Sequence, residues 1–258
     1  MKITLLGTGT SVGIPSLGKL GWGKCNPQNP KNKRQRCSVL IQSDDTNILI
    51  DAGPDIKHQL IDHNLELLNA IIITHEHADH ISGLDELRPF YFHKQEKINV
   101  YTIERTANFL SNRFDYLFNK NEKSQSYFKP PMCLNILNYY DEINLNGINI
   151  QTIKQHHGVI DTIGLIINKK FAYCTDVVDF PDDSFNKLRN LDTLVITGLR
   201  STPHIAHAHF DLAFNWIKEL NPKKAYLTHL SPDSDHDYVL SLCPKNVEPA
   251  YDNMYFNI

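Results

Sequence analysis

Only five cysteines occur in 258 residues, and no two of them stand at Cys-x-x-Cys spacing. Cys25, Cys37, Cys133, Cys174 and Cys243 are scattered and odd in number. That excludes a disulfide framework and points to reduced thiols in a reducing compartment. A membrane span is lacking too, because no stretch approaches the run of about 20 apolar residues that a bilayer requires. The opening MKITLLGTGTS breaks its apolar run at Gly7 and Gly9, so it is not read as a secretory signal, and a cytoplasmic location is expected. Positive charge is not in excess. A net charge of −3 provides no global basic field of the kind a nucleic-acid binder carries. No internal repeat and no low-complexity segment is visible.

With 41% hydrophobic and 21% charged residues, the chain is globular rather than disordered, and it is long enough for a substantial core. KITLLGTG reads as a strand entering a glycine turn, and CSVLIQSDDTNILIDAG as two strands joined at Ser43-Asp44-Asp45. Ile56, Leu60, Ile61, Leu65 and Leu68 fall at helical spacing behind Asp55. NAIIITH is a short continuous apolar run, expected as a strand buried on both faces, with a helix from about Asp79. Residues 104–134 combine a helical pattern with the polar stretch NKNEKSQSYFKPP and are expected as an insertion. Strand signals return in INLNGINIQTIKQHHG, DTIGLIINKKFAYCTD and LDTLVITGL, followed by the helix DLAFNWIKELNP and the strand KKAYLTH. Two strand-rich halves, each with helices, predict two stacked sheets with helices outside.

Thirteen histidines are many, and their grouping carries the information. In THEHADH, residues 74–80, His75 and His77 alternate along an extended loop and can converge, while Asp79 and His80 lie on the next turn and can face a second centre. Imidazole and carboxylate are borderline donors that suit zinc, manganese or iron. A lone His-x-His would be read as a polar surface loop; four donors behind a buried strand point to metal. Further donors stand in similar settings: His157 before Gly158, Asp176 ending FAYCTD, His229 ending KKAYLTH, and Asp51 ending NILID. Each lies at the carboxyl end of a strand, where loops gather into one crevice.

The series His-x-His-x-Asp-His, then His-Gly, then strand-Asp, then Thr-His resembles the metallo-β-lactamase-fold hydrolase superfamily, and the likeness runs through nearly the whole chain. It implies an α/β (α+β) fold, a four-layer αββα sandwich, expected as one domain over 1–258. It also implies that His75, His77 and His157 hold a first metal, that Asp79, His80 and His229 hold a second, that Asp176 bridges, and that Asp51 fixes the metal loop. His156 is the alternative to His157, which stands directly before glycine. LLGTGTSVGIPSLG, DAGPDIKHQL, HADHISGLDELRPF and LTHLSPDSDH are similar to the branch that contains phosphoribosyl 1,2-cyclic phosphate phosphodiesterase. That branch often carries a cysteine-rich loop with a separate structural zinc. Here the stretch offers only Cys25 and Cys37, so no third metal is expected.

Two divalent ions per chain are therefore expected, zinc first and manganese second, lowering the pKa of a shared water for in-line attack on a phosphodiester. Asp79 belongs to this catalytic centre. The leaving oxygen needs a proton. His209, two residues before the helix cap Asp211, occupies the His-x-Asp setting that this branch shows for its catalytic histidine; His207 is the runner-up. His58, His63 and His93 are read as surface or packing residues, and His236 as near the site without being a ligand. Lys31, Lys33, Arg34 and Arg36 are read as solvated charge.

The expected function is hydrolysis of a small cyclic or nucleotide-like phosphodiester. A tRNA 3′-processing endonuclease of the ribonuclease Z kind shares the metal motif and the LGTGTS start, but no long glycine- and proline-rich arm is present and HAHFD fits it less well. Thioester hydrolysis, and a non-enzymatic accessory role on the same fold, complete the alternatives. The expected partner is a small molecule. Nucleic acid is allowed but not favoured, a membrane is not expected, and a homodimer is left open.

Overall fold

The computed structural model describes residues 1–119 and 129–258. The chain forms two seven-stranded sheets. The first is built from β1 (Lys2–Gly7), β2 (Ser38–Ser43), β3 (Thr46–Ile50), β4 (Ala70–Ile72), β5 (Ile98–Ile103) and β6 (Met132–Leu137) in sequence order. The second holds β7 (Glu142–Leu145), β8 (Ile148–His157), β9 (Ile160–Ile167), β10 (Phe171–Cys174), β11 (Thr193–Thr197), β12 (Lys224–Thr228) and β13 (Val247–Pro249). The last strand, β14 (Met254–Asn257), returns to pair with β1. Each sheet begins antiparallel and turns parallel: from β3 to β6 in the first, from β10 to β13 in the second.

Alternation of side chains explains the layering. Val39, Ile41, Ile48, Ile50, Ala70 and Ile72 face inward and meet Ile163, Leu165, Phe171, Tyr173 and Val195 of the other sheet. Their neighbours Leu40, Leu49, Ile71 and Ile73 face outward and are covered by the helices α1 (Ile56–Ile61), α2 (Ala78–Ile81), α3 (Arg88–Lys94), α4 (Glu104–Arg113) and α5 (Asp115–Phe118). On the far side, Ile166, Ala172, Cys174, Leu194 and Ile196 lie under α6 (Asp182–Lys187), α7 (Phe210–Leu220) and α8 (His236–Leu242). Strands buried on both faces need apolar residues at every position, which is why the Ala70–Ile73 run is continuous.

Two helices are shorter than their periodicity suggests. α1 stops at Ile61, before Leu65 and Leu68, and Asn64 takes a left-handed backbone with φ 50° that ends the turn. The helix expected from Asp79 breaks at Ser82-Gly83 and resumes at α3 with Pro89 in its first turn. Gly83 packs against the Gly53 carbonyl, where an added Cβ would lie 2.1 Å from the oxygen, so only glycine fits at the break. Residues 104–118 form α4 and α5 and lead to the edge strand β6, paired parallel to β5. Most of the polar stretch NKNEKSQSYFKPP, residues 120–128, lies outside the described residues.

The long connection between β1 and β2 is fastened to the segment after β12. Asn32 donates from Nδ2 to Asp235 Oδ2 at 2.6 Å and accepts from the His236 amide at 2.7 Å. Arg34, expected as solvated charge, is 1% exposed. Its Nη1 donates to Thr8 Oγ1 at 2.9 Å and to the Ala250 carbonyl, and Thr8 passes the link to Asp252 at 2.9 Å. Within this network His236 is buried, and burial, then Arg34 and Lys31, lower its pKa to about 4 against the pull of Asp237 and Asp235. A histidine whose folded pKa lies below its unfolded value of about 6.5 contributes stability above that value and loses it as pH falls toward 4. His236→Gln is therefore expected to flatten the acid side of the stability curve, by roughly 1–2 kcal/mol at pH 5. Denaturant melts of both proteins at pH 7.5 and 5.0 measure this, and parallel losses in the two would remove His236 from the account.

Candidate metal centre

Five parallel or hairpin strand ends meet at one edge of the sandwich. Asp51 follows β3, the 74–80 loop follows β4, His157 ends β8, Asp176 follows β10 and His229 follows β12. Asp51, Asp176 and His229 all adopt left-handed backbone, with φ of 61°, 55° and 57°. Non-glycine residues rarely hold this conformation, and strain of this kind gathers at functional sites. Sequence inspection does not reveal it. The 74–80 loop is pressed against the end of β3: a Cβ on Gly53 would stand 2.1 Å from the Asp79 carbonyl, so only glycine fits there.

Four overlapping donor groups form, His75–His80–Asp176 and His157–Asp176–His207 among them, and two match the expected ligand sets. His75, His77 and His157 have ring centroids 4.6, 5.0 and 5.3 Å apart with edge-on geometry, and His77 Nδ1 lies 3.2 Å from His157 Nε2. Asp79, His80 and His229 make the second group, with Asp79 Oδ2 3.2 Å from His80 Nε2 and 3.7 Å from His229 Nε2. Asp176 reaches both: Oδ2 is 3.2 Å from His80 Nε2, while Oδ1 is 3.3 Å from His229 Nε2 and 3.8 Å from His157 Nε2. In each group the ligand atoms lie within 4.8 Å of one another.

Supporting contacts aim these atoms. Asp51 Oδ2 lies 2.7 Å from His80 Nδ1, and Asp51 also accepts from the Thr74 amide at 2.8 Å. His157 Nδ1 donates to the Ala206 carbonyl at 2.7 Å, which leaves Nε2 for the centre. Thr175 Oγ1 donates to Asp176 Oδ2 at 2.6 Å, and Thr197 Oγ1 accepts from the Asp176 amide at 2.7 Å. Glu76, between the two first ligands, is held by Arg105 at 2.7 Å and Thr106 at 2.9 Å. Through Glu76, α4 anchors the metal loop, a role no sequence signal announced.

The site tests positively for a cation. His75 Nε2, His80 Nε2, His229 Nε2 and His207 Nδ1 are buried and have no hydrogen-bond partner among the described residues. Buried polar atoms are normally paired, so four orphans converging beside two carboxylates fit a divalent ion. Burial, followed by the neighbouring imidazoles, pushes His75 well below the usual histidine range and lowers His157, leaving both as neutral ligands. Burial alone would raise the Asp176 carboxyl, but His229 and His80 outweigh it and hold it well down. The groups of converging donors contain no cysteine; Cys25 and Cys37 are free and buried.

His156 turns to Asp161 at 2.7 Å instead of to the cluster. His209 also stands apart. It precedes α7 as the cap residue, without a side-chain capping bond, and no contact of its ring with the cluster occurs among the described residues. His207 takes the place expected of His209: its ring is 4.6 Å from those of His157 and His229, and Nδ1 is 3.7 Å from Asp176 Oδ1. The cause is backbone pairing. The Ala208 amide donates to Val177 and its carbonyl accepts from Leu199, which sets residue 207 beside Asp176. His58 and His93 are exposed and His63 half-buried, all away from the donor groups.

The sequence model described as the beta-lactamase superfamily domain matches residues 46–230. A crystal structure titled as a new diphosphatase from the PhnP family superposes with a TM-score of 0.89 at 30% identity, covering 100% of this chain and 97% of the other. An octanoyltransferase of Porphyromonas gingivalis is 29% identical over 257 residues, 98% of this chain and 51% of that protein. A ribonuclease Z of Sulfolobus acidocaldarius is 29% identical over 143 residues, 54% of this chain and 44% of that protein. The chain thus spans about half the length of these two curated relatives. Among the described residues no helix is long and apolar enough to cross a membrane.

Proposed function

The chain belongs to the beta-lactamase superfamily, with the metallo-β-lactamase fold of metal-dependent hydrolases, and from that premise we propose that it is a two-metal phosphodiesterase acting on a small cyclic or nucleotide-like phosphodiester. The observation that carries this reading is the placement of Asp176 between two three-donor groups. His75, His77 and His157 would hold one ion, Asp79, His80 and His229 the other, with Asp176 shared. When bound, such a pair supplies Lewis acidity at a phosphoryl oxygen and a nucleophilic water at neutral pH. Asp51 orients His80. His207, left over once both donor sets are filled, is the proton donor to the leaving oxygen; burial, then His229, lower its pKa to about 3, so it takes up that proton only beside the charge of the bound anionic substrate. Histidine and aspartate donors suit zinc first and manganese second.

Likeness to a diphosphatase supports phosphoryl chemistry. Likeness to an octanoyltransferase keeps thioester hydrolysis as the second reading, and likeness to a ribonuclease Z keeps tRNA 3′ processing as the third. The deciding experiment loads the protein with zinc or manganese, counts the ions, and assays bis(p-nitrophenyl) phosphate, an octanoyl thioester and a tRNA precursor side by side. About two ions per chain and turnover of the diester, abolished by chelation, are expected. Turnover of the thioester or the tRNA alone, or of none, sinks the phosphodiesterase reading.

A further inference from the structure

Two apolar side chains stand open to solvent on the turns that border the metal centre. Strands β8 and β9 are joined by the two-residue turn Gly158-Val159, since His157 pairs with Ile160. Val159 is thereby carried at the tip of the hairpin, two residues past a metal-site donor, and is 100% exposed. Against this turn lies the loop that carries His204 and His207. Its residue Ile205, two positions before His207, is 87% exposed.

The two turns touch. His157 Nδ1 donates to the Ala206 carbonyl at 2.7 Å. A Cβ built on Gly158 would stand 3.1 Å from the Ala206 Cβ and 3.8 Å from the Ile205 carbonyl oxygen. The Ala206 amide donates to His204 Nδ1 at 3.2 Å, which closes the loop into a tight bend around Ile205. The His207 ring in turn lies 4.6 Å from that of His157. Val159 and Ile205 are therefore placed beside each other by contacts to the same imidazole that serves the donor cluster.

Their chemistry differs from that of the centre they border. Apart from histidines, residues 157–160 and 203–208 include no ionisable side chain. Neither turn offers a lysine or arginine to a second anionic group, nor a carboxylate or amide to sugar hydroxyls. A single exposed aliphatic residue is ordinary. A pair on adjoining turns, each two residues from a group of the reacting centre, matches the usual build of a small-molecule site, in which apolar walls flank a few polar groups.

We propose that Val159 and Ile205 determine specificity by covering an apolar substituent carried by the phosphoryl group of the substrate. This rests on the phosphodiesterase reading for the phosphoryl group and adds to it the class of its neighbour. The two side chains meet a part of the substrate remote from the bond that breaks. Their contribution is binding, equal in ground and transition states, so it appears in KM rather than kcat.

The test reads binding apart from turnover. Manganese-loaded protein is titrated calorimetrically with methylphosphonate and phenylphosphonate, whose P–C bonds resist hydrolysis. Wild-type protein is expected to favour the phenyl ligand on the order of tenfold, what covering about two methylene groups is worth. The double substitution Val159→Ser and Ile205→Ser should bring that ratio toward one, and Val159→Leu with Ile205→Leu should keep it. Both positions are exposed, so the fold is not at stake. On bis(p-nitrophenyl) phosphate the serine variant should raise KM several-fold with kcat held. A wild-type ratio near one, absence of binding, or a ratio unchanged in the serine variant overturns the proposal. So does a fall in solution mass on serine substitution, measured by sedimentation, because the pair then belongs to an interface between two copies of the chain. Should the diester resist turnover while the ratio and its loss persist, the apolar subsite stands and the phosphodiesterase reading falls. Should turnover succeed with a flat ratio, the subsite alone falls.

Discussion

Asp176→Ala is expected to lower kcat/KM on a phosphodiester by roughly 10³-fold or more, since each tenfold costs about 1.4 kcal/mol and a correctly held metal pair contributes several. The carboxylate is buried and stands within 3.3 Å of both His80 and His229, with its first oxygen turned toward His157 as well. Among the described residues Asp176 is the carboxylate that reaches donors of both groups, and although the rings of His207 and of His75 with His80 also bring the groups together, its loss removes the shared anionic donor. Metal counts should fall below two, because each group then keeps only three donors and no shared carboxylate. His93→Ala supplies the control: His93 is exposed on α3 and touches none of the donors. Circular dichroism separates loss of metal from loss of fold. Equal activity of the two variants, or full metal retention in Asp176→Ala, would remove the bridge from the mechanism.

The convergence of several donors could be read from the sequence because Asp51, His75, His157, Asp176 and His229 stand at or just beyond strand ends, while the division of donors between two ions is what the family resemblance implies. Ala70–Ile72 before His75, Phe171–Cys174 before Asp176 and Lys224–Thr228 before His229 are three instances of one rule. The four layers were legible for a similar reason, since apolar positions on both faces of a strand require cover on both sides. Arg34 was not legible. A cation inside a run of basic residues looks solvated, and only the closure of the first long loop onto β12 and the chain's end buries it beside Thr8. Glu76 was hidden in the same way. Its partners Arg105 and Thr106 come from a helix 30 residues on, and no local pattern links them to the metal loop. The left-handed backbone at Asp51, Asp176 and His229 is likewise a property of the assembled edge, invisible in residue type.

His207 against His209 is the sharpest instance, and it yields the second large effect. Three histidines lie within six positions, and the resemblance to the phosphodiesterase branch implies His209, the one in the His-x-Asp setting, with His207 as runner-up. In the fold it is His207 that meets the donors, because Ala208 is paired on both sides and brings His207 against Asp176, His157 and His229. His207→Ala is expected to lose on the order of 10²–10⁴ in kcat on a diester with a poor alkoxide leaving group, the usual worth of general acid catalysis. A nitrophenolate leaves without a proton, so the same variant should lose much less on bis(p-nitrophenyl) phosphate. His209→Ala should change either rate little, since that side chain makes no capping bond that its removal would break. Metal content measured in each preparation guards the interpretation. His207 has its own claim as a donor, because it groups with His157 and Asp176. If His207→Ala sheds metal and slows both substrates alike, it is a ligand and not the acid. If His209→Ala shows the leaving-group dependence instead, residue 209 reaches the substrate through a rearranged loop and the assignment reverts to it. Retained metal with a loss concentrated on the poor leaving group is the outcome that makes His207 the proton donor.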